Sequence, residues 1–288
     1  MILVTGAGGT VGSEVLKQLR QRGAAVRAGF HSPKKAEQVR AQGVDAVVLD
    51  FADRASIAAA LKGADKVFLL GATAPNQAEL EINVVEEAKK AGVGHIVKLS
   101  VLDATGEKFA LARWHRAVEK EIERSGLAYT FLRPNEFMQN FVNYYAGTIQ
   151  SQGAFYFPAR DSRVSLVDVR DIAAVAVEAL TRPGHEGKAY DLTGLEPLSN
   201  AELAEKLSAA LGAPVKYVDV PPEVFKQGAL ASGTPEFYAD MLLDLYRFYI
   251  EGGAQHVSGD VEKVTGRKPR TFDDFARDHA AAFRSAAA

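Results

Sequence analysis

Ile2-Leu3-Val4-Thr5-Gly6-Ala7-Gly8-Gly9-Thr10-Val11-Gly12 opens the chain with a short apolar run that breaks at once into glycine. The run reads as a buried strand, and residues 13–20 behind it carry apolar side chains at helical spacing. Strand, glycine turn and helix in immediate succession are the setting in which a dinucleotide-binding fingerprint has physical meaning. Glycines stand at 6, 9 and 12, one residue wider than the G-x-G-x-x-G form. Gly6 permits the tight turn out of the strand. Gly8 and Gly9 clear side chains from where a pyrophosphate lies against backbone N–H groups, with Thr10 and Val11 at the helix start. Gly12 lets the helix approach the sheet closely. The anion then rests on the positive end of the helix, where the first N–H groups lack partners.

Outward from this turn the first half alternates. Strands over residues 24–30, 44–49, 66–70, 96–99 and 127–132 are separated by helices over 33–42, 56–61, 77–91 and 109–124. Such alternation predicts a parallel sheet with helices on both faces: a doubly wound α/β fold of Rossmann type, with ligands beyond the carboxyl ends of the strands. The second half is less regular. Residues 137–150 hold aromatic and amide side chains at helical spacing, and 153–158 read as an extended piece. A helix over 167–180 is opened by Asp168 or Asp171, a strand covers 189–192, and a helix over 199–211 begins with Ser199 and Glu202 at capping-box spacing. A last strand is expected over 215–220, and a tail that frays over 285–288. We expect a nucleotide-binding core over 1–135 and a smaller, mostly helical substrate lobe over 136–288, with about 164–195 returning to the core.

The chain has 34 basic and 36 acidic residues among 288, so there is no cationic excess to hold nucleic acid. Cysteine is absent, which excludes disulfides, Cys-ligated zinc and thiol catalysis. No apolar run approaches the about 18 residues of a membrane span. The chain opens on a strand rather than a signal peptide, and a cytoplasmic location is expected. The six histidines show no metal-ligand spacing, and no Gly-x-Ser-x-Gly elbow occurs.

The residues after the second strand bear on the cofactor. A nicotinamide dinucleotide site usually places an acid about 20 positions beyond the glycines to hold the ribose 2′-hydroxyl. Here Phe30 is followed by His31, Ser32, Lys34 and Lys35, and the first acid is Glu37. A 2′-phosphate is welcome in that setting, so NADPH is expected over NADH, with His31 and Lys35 as its anchors. The alternative for the lysines is a solvated helix start. Asp50 and Phe51, after the third strand, are placed for the adenine edge. Gly71-Ala72-Thr73, after the fourth, is a small turn beneath which the cofactor can pass.

The opening glycine spacing, Ser100 after the fifth strand, Trp114-His115-Arg116-Ala117-Val118-Glu119-Lys120, the stretch from Ser125-Gly126-Leu127 through Leu132-Arg133-Pro134 to Asn140, Asp168-Val169-Arg170-Asp171-Ile172-Ala173, and residues 184–194 together resemble the NmrA-like atypical short-chain dehydrogenases. The resemblance runs from residue 1 to beyond 270. It is nearest to the branches of type 2 quinone oxidoreductases, triphenylmethane reductases and NAD(P)H azoreductases, and implies reduction of quinones or dyes by NAD(P)H without flavin or metal. Two other outcomes stand within the family: a dinucleotide sensor without turnover, and a biosynthetic reductase of imine or benzylic-ether type. Most short-chain dehydrogenases carry a Tyr-x-x-x-Lys pair, and no such pair stands in the His115 helix. His115 is then a candidate proton donor, oriented by Glu119 one turn on, or else a helix histidine whose hydrogen bond closes the cleft. Ser100 is a candidate contact to substrate or nicotinamide, or a strand-end cap.

Asn135, Phe137, Met138 and Asn140 follow a strand end and are expected at the cleft mouth. Tyr144, Tyr145 and Tyr156 add aromatic surface on which a small flat substrate can stack. Phe141, by contrast, reads as core, and Phe137 as core or mouth. The chain is expected to act as a monomer or homodimer.

Overall fold

The computed structural model describes residues 1–284; the expected fraying tail lies outside the described residues. Its frame is β1 (Ile2–Val4), α1 (Thr10–Gln21), β2 (Val26–Phe30), α2 (Pro33–Arg40), β3 (Asp45–Val48), α3 (Arg54–Leu61), β4 (Lys66–Leu69), α4 (Gln77–Lys90), β5 (His95–Leu99), α5 (Ala110–Ser125) and β6 (Ala128–Pro134). The chain continues through α6 (Ala146–Gln152), β7 (Ala154–Tyr156), β8 (Arg163–Val164), α7 (Val169–Thr181), β9 (Lys188–Leu192), β10 (Leu198–Ser199), α8 (Asn200–Leu211), β11 (Lys216–Val218), α9 (Pro222–Ala231), α10 (Glu236–Ile250), α11 (Asp260–Thr265) and α12 (Phe272–Asp278).

Seven strands form one parallel sheet in the order β3-β2-β1-β4-β5-β6-β9, the doubly wound arrangement expected from the alternation. β1 is buried on both sides because helices cover both faces of the sheet. Val11, Val15 and Leu19 of α1 and Ile172 and Val175 of α7 pack on one face. Ile57, Leu61, Val84, Val85, Val118 and Ile122 pack on the other. The winding reverses between β1 and β4, so the ligand crevice of this topology lies at their carboxyl ends. Thr5 fixes that edge: its hydroxyl lies 2.9 Å from the Leu70 carbonyl oxygen and accepts from the Leu70 N–H at 2.8 Å.

A third, aromatic core includes Phe141, Phe155, Phe157, Tyr246, Phe248, Phe272 and Phe275. Two small sheets brace it, β7 parallel to β11 and β8 antiparallel to β10. The β8–β10 pair has two residues per strand, too short for any alternation to announce it. The expected helix over 167–180 starts instead at Val169, because Asp168 caps it by accepting from Arg170 N–H while Val167 bridges to Phe137. Residues 137–150 are not one helix. A π-helical turn over Phe141–Tyr145 precedes α6, a widening of the backbone found often at functional sites.

Candidate active site

Gly6 adopts φ +59°, a conformation open to glycine at little cost. A Cβ on Gly12 would stand 2.1 Å from the Gly6 carbonyl oxygen, so only glycine lets α1 pack there. Several other helices of the core and the lobe are capped by a side chain of their own N-cap residue, among them α2 by Ser32, α3 by Asp53, α7 by Asp168 and α8 by Ser199, with Glu202. At α1 the N-cap is Gly9, no side chain caps it, and no acid stands in the first turn. Gly8, Gly9 and Thr10 are exposed, whereas Val11 and Gly12 are buried. The positive helix end therefore faces outward without a protein counter-charge, and the residues present fit a dinucleotide pyrophosphate.

Lys35 lies along this loop, with its Cδ 3.7 Å from where a Gly8 Cβ would stand. Together with Ala7, Gly8 and Phe30 it lines a groove between α1 and α2. His31 is well exposed at the tip of β2, its Nε2 4.0 Å from Asp50 Oδ2 across the β2–β3 edge. The other Asp50 oxygen accepts from Ala52 N–H at 2.9 Å. Phe51 packs at the edge of the second core. Gly71 donates its N–H to Glu81 Oε1 at 2.8 Å, and Ala72 and Thr73 beyond it are exposed.

Beneath the ends of β4 and β5 a polar chain runs through the interior. Glu81 and Lys98, both without solvent exposure, pair at 2.9 Å. Lys98 Nζ lies 3.0 Å from His115 Nδ1 and also donates to the Leu99 carbonyl. An ammonium can only donate, so Nδ1 accepts and the ring proton is assigned to Nε2. That nitrogen faces Gln77 Nε2 at 3.5 Å, while the buried Gln77 Oε1 has no partner. Exchanging the two amide atoms gives that oxygen the imidazole N–H. Burial and then the Lys98 charge hold His115 well below its ordinary range. Burial thus favours the neutral ring, and with Nδ1 turned to Lys98 and Nε2 to Gln77 neither nitrogen is left for a substrate, which argues against the expected role of His115 as proton donor. It positions the polar chain between α4, β5 and α5 instead.

Glu119 does not orient His115. It accepts from Ser100 at 2.7 Å and from Arg133 and Arg116 at 2.8 and 3.0 Å. Burial raises its carboxyl, but Arg133, Ser100 and Arg116 outweigh burial and leave it below the usual carboxylate range. Ser100 is buried and spends its proton on Glu119, so the expected contact from Ser100 to substrate gives way to an internal one.

The β6 end separates the expected substrate residues. Asn135 is buried and donates to Ser165 Oγ and the Ala254 carbonyl, both at 2.8 Å; its own oxygen caps Glu136 N–H. Met138 is 2% exposed within the aromatic core. Both are structural, because the turn after β6 must anchor itself to the loops carrying residues 165 and 254. Tyr156 bonds to Gln152 at 2.8 Å. Strand alternation turns it away from Phe155 and Phe157, whose rings join the aromatic core. Phe137 packs at the edge of the first core, and Phe141 is core as expected. Asn140 and Tyr144 keep partial and large exposure, and Tyr144 hydrogen-bonds Tyr238 of α10. Next to Tyr144, Asn143 donates to Thr10 Oγ1 at 3.2 Å, joining the π-turn to the glycine loop.

Sequence reasoning missed Glu136. It is the sole acid between residues 127 and 152, a stretch otherwise rich in aromatic and amide side chains, and that isolation was the available signal. Asn140 and Tyr249 hydrogen-bond its carboxyl, but burial outweighs them and pushes it up to about 7.

Residues 1–276 match the model of the NmrA-like family. The chain belongs to that family. It is 42% identical over 287 residues to the NAD(P)H azoreductase of Xenophilus azovorans, covering 99% of this chain and all of that one. Among solved structures, an NADPH-dependent quinone oxidoreductase from Escherichia coli complexed with NADPH superposes with a TM-score of 0.87 at 30% identity, over 96% of this chain and 99% of that one. The triphenylmethane reductase of Citrobacter sp. complexed with NADP(H) gives 0.85, also at 30%, over 97% and 99%. The NmrA-like chain thus shares its fold with NAD(P)-binding reductases. No helix among the described residues is long and apolar enough to cross a membrane.

Proposed function

We propose that the protein is an NADPH-dependent, flavin-free reductase of quinone-like, azo or other electrophilic aromatic acceptors. The observation that carries this reading is the uncapped start of α1, tied through Asn143 and Thr10 to an aromatic-walled segment. The names of the relatives above agree with it. The bound dinucleotide supplies the hydride. The chain's own part is to hold and to aim. Backbone N–H groups of residues 8, 10 and 11 take the pyrophosphate, while the Gly9 N–H closes the turn onto the Gly6 carbonyl, and Lys35 and His31 stand at the 2′-phosphate. The π-turn and α10 present rings against which a flat acceptor stacks, so rate comes mainly from positioning.

NADPH oxidation with a panel of quinones, azo dyes and triarylmethane dyes tests the reading. Turnover with at least one class is expected. Tight NADPH binding with no turnover would instead support a dinucleotide sensor. Lys35→Ala should raise KM for NADPH by about 10- to 100-fold, the loss of one hydrogen bond to a charged group, and leave KM for NADH within about twofold. Equal effects on both cofactors would remove Lys35 from the 2′-phosphate.

A further inference from the structure

We propose that the Glu136 carboxyl, set two residues beyond β6 among the hydroxyls of Tyr145, Tyr246 and Tyr249, gives the proton that accompanies hydride addition. The inference rests on the reductase reading above. Glu136 stands two positions beyond the carboxyl end of β6, the end of the sheet where this topology places its ligands, and its acid is buried against the tyrosine hydroxyls there. Its backbone is fixed on both sides: Asn135 caps its N–H at 2.9 Å, and its carbonyl accepts from Val167 N–H at 2.9 Å. Tyr145 on the π-turn and Tyr246 and Tyr249 on α10 are the titratable groups facing it, with the Asn140 amide. Tyr145 and Tyr246 are themselves joined at 3.1 Å, and Tyr246 stacks on Phe157 with ring centroids 5.2 Å apart. No lysine, arginine or histidine among the described residues pairs with Glu136. The phenols are all held protonated, since burial pushes each upward. Glu136 is the one group of the cluster that exchanges a proton near neutral pH. His115, the alternative donor, is buried with its ring nitrogens turned to Lys98 and Gln77.

For an azo acceptor the step balances as follows. One nitrogen of the N=N bond takes the hydride from the reduced dinucleotide, whose C–H bond breaks, and the N=N π bond breaks. The other nitrogen takes the Glu136 proton as the acid O–H breaks. The products are a hydrazine, the oxidised dinucleotide and a carboxylate that solvent reprotonates. Acceptor classes differ in their need for that proton. Hydride addition to a quinone leaves a phenolate, whose conjugate acid has a pKa of about 10 and which can depart unprotonated. Addition to an azo bond leaves a far more basic nitrogen anion. A cationic triarylmethane dye becomes neutral on receiving hydride and needs no proton.

The experiment compares wild type, Glu136→Gln and Glu136→Asp on a neutral azo dye and on a cationic triarylmethane dye, with NADPH affinity followed by fluorescence. In Glu136→Gln the azo-to-cationic-dye rate ratio should fall by about 100-fold or more, the range of a lost general acid. NADPH affinity should stay within twofold. Wild-type azo kcat/KM should decline above a midpoint near 7, because only the protonated acid is competent, and the decline should vanish in the glutamine variant. Glu136→Asp should retain the decline at lower rate. An unchanged ratio and pH profile in an active Glu136→Gln overturns this inference alone, whereas a wild type inactive on every acceptor overturns the reductase reading and this one with it.

Discussion

Gly12→Ala is expected to weaken NADPH binding by at least about 100-fold. The new Cβ would lie 2.1 Å from the Gly6 carbonyl oxygen and 2.6 Å from its carbon, both backbone atoms that no rotamer change can move aside. Relief requires α1 to slide away from the loop, which takes the first-turn N–H groups out of line with the pyrophosphate, and a displacement of about 1 Å at a positioned contact can cost 100-fold. The same collision should lower stability by about 1–3 kcal/mol, the usual cost of overpacking. Gly9→Ala separates the two effects. Gly9 has φ −90° and ψ 175°, which any residue adopts, and its added Cβ would meet the Gly6 oxygen only at 3.4 Å. That variant should keep its melting temperature within about 2 °C, a change below 1 kcal/mol for a chain of this size, yet still lose NADPH affinity, because the methyl occupies the ligand's side of the loop. Isothermal titration with NADPH beside thermal melts gives both readouts. A Gly12→Ala protein that binds NADPH normally would remove the loop from the cofactor site.

The parts of the molecule that were legible in the sequence are those governed by local rules. Parallel strands buried on both faces read as continuous apolar runs, so β4 and β5 were found within one residue. The Ser199–Glu202 capping box is present as its spacing required, because both of its hydrogen bonds form within one turn. What stayed hidden depends on contacts distant in the chain. Asn135 looked like a cleft residue until Ala254, 119 positions away, took its amide. Glu119 looked like a partner for His115 because helical spacing puts them one turn apart, but Arg133 and Ser100 reach it from the sheet. Lys98 carried no signal at all. It sits in the apolar strand His-Ile-Val-Lys-Leu, and only its meeting with Glu81 from α4 shows why a lysine is tolerated there.

That meeting makes Lys98→Met the substitution with the largest expected cost to folding, about 3–5 kcal/mol, the range seen when one partner of a buried pair is removed. Glu81 would remain at zero exposure facing an apolar side chain, while its other oxygen still accepts from Gly71 N–H. The carboxylate would be left buried without its cation, and His115 would lose the donor on Nδ1. At about 2–4 °C per kcal/mol for a chain of this size, the melting temperature should fall by about 10 °C. The pair itself need not be stabilising relative to neutral residues, since each charge loses hydration on burial. The double variant Lys98→Met with Glu81→Gln should therefore recover most of the loss, because glutamine keeps an oxygen for the Gly71 N–H and carries no charge. Recovery of stability without recovery of NADPH affinity would show that the ion pair sets the turn after β4 rather than the fold. If Lys98→Met melts within about 2 °C of wild type, well under 1.5 kcal/mol, the buried charge is compensated from elsewhere and the polar chain through His115 does not hold this end of the sheet.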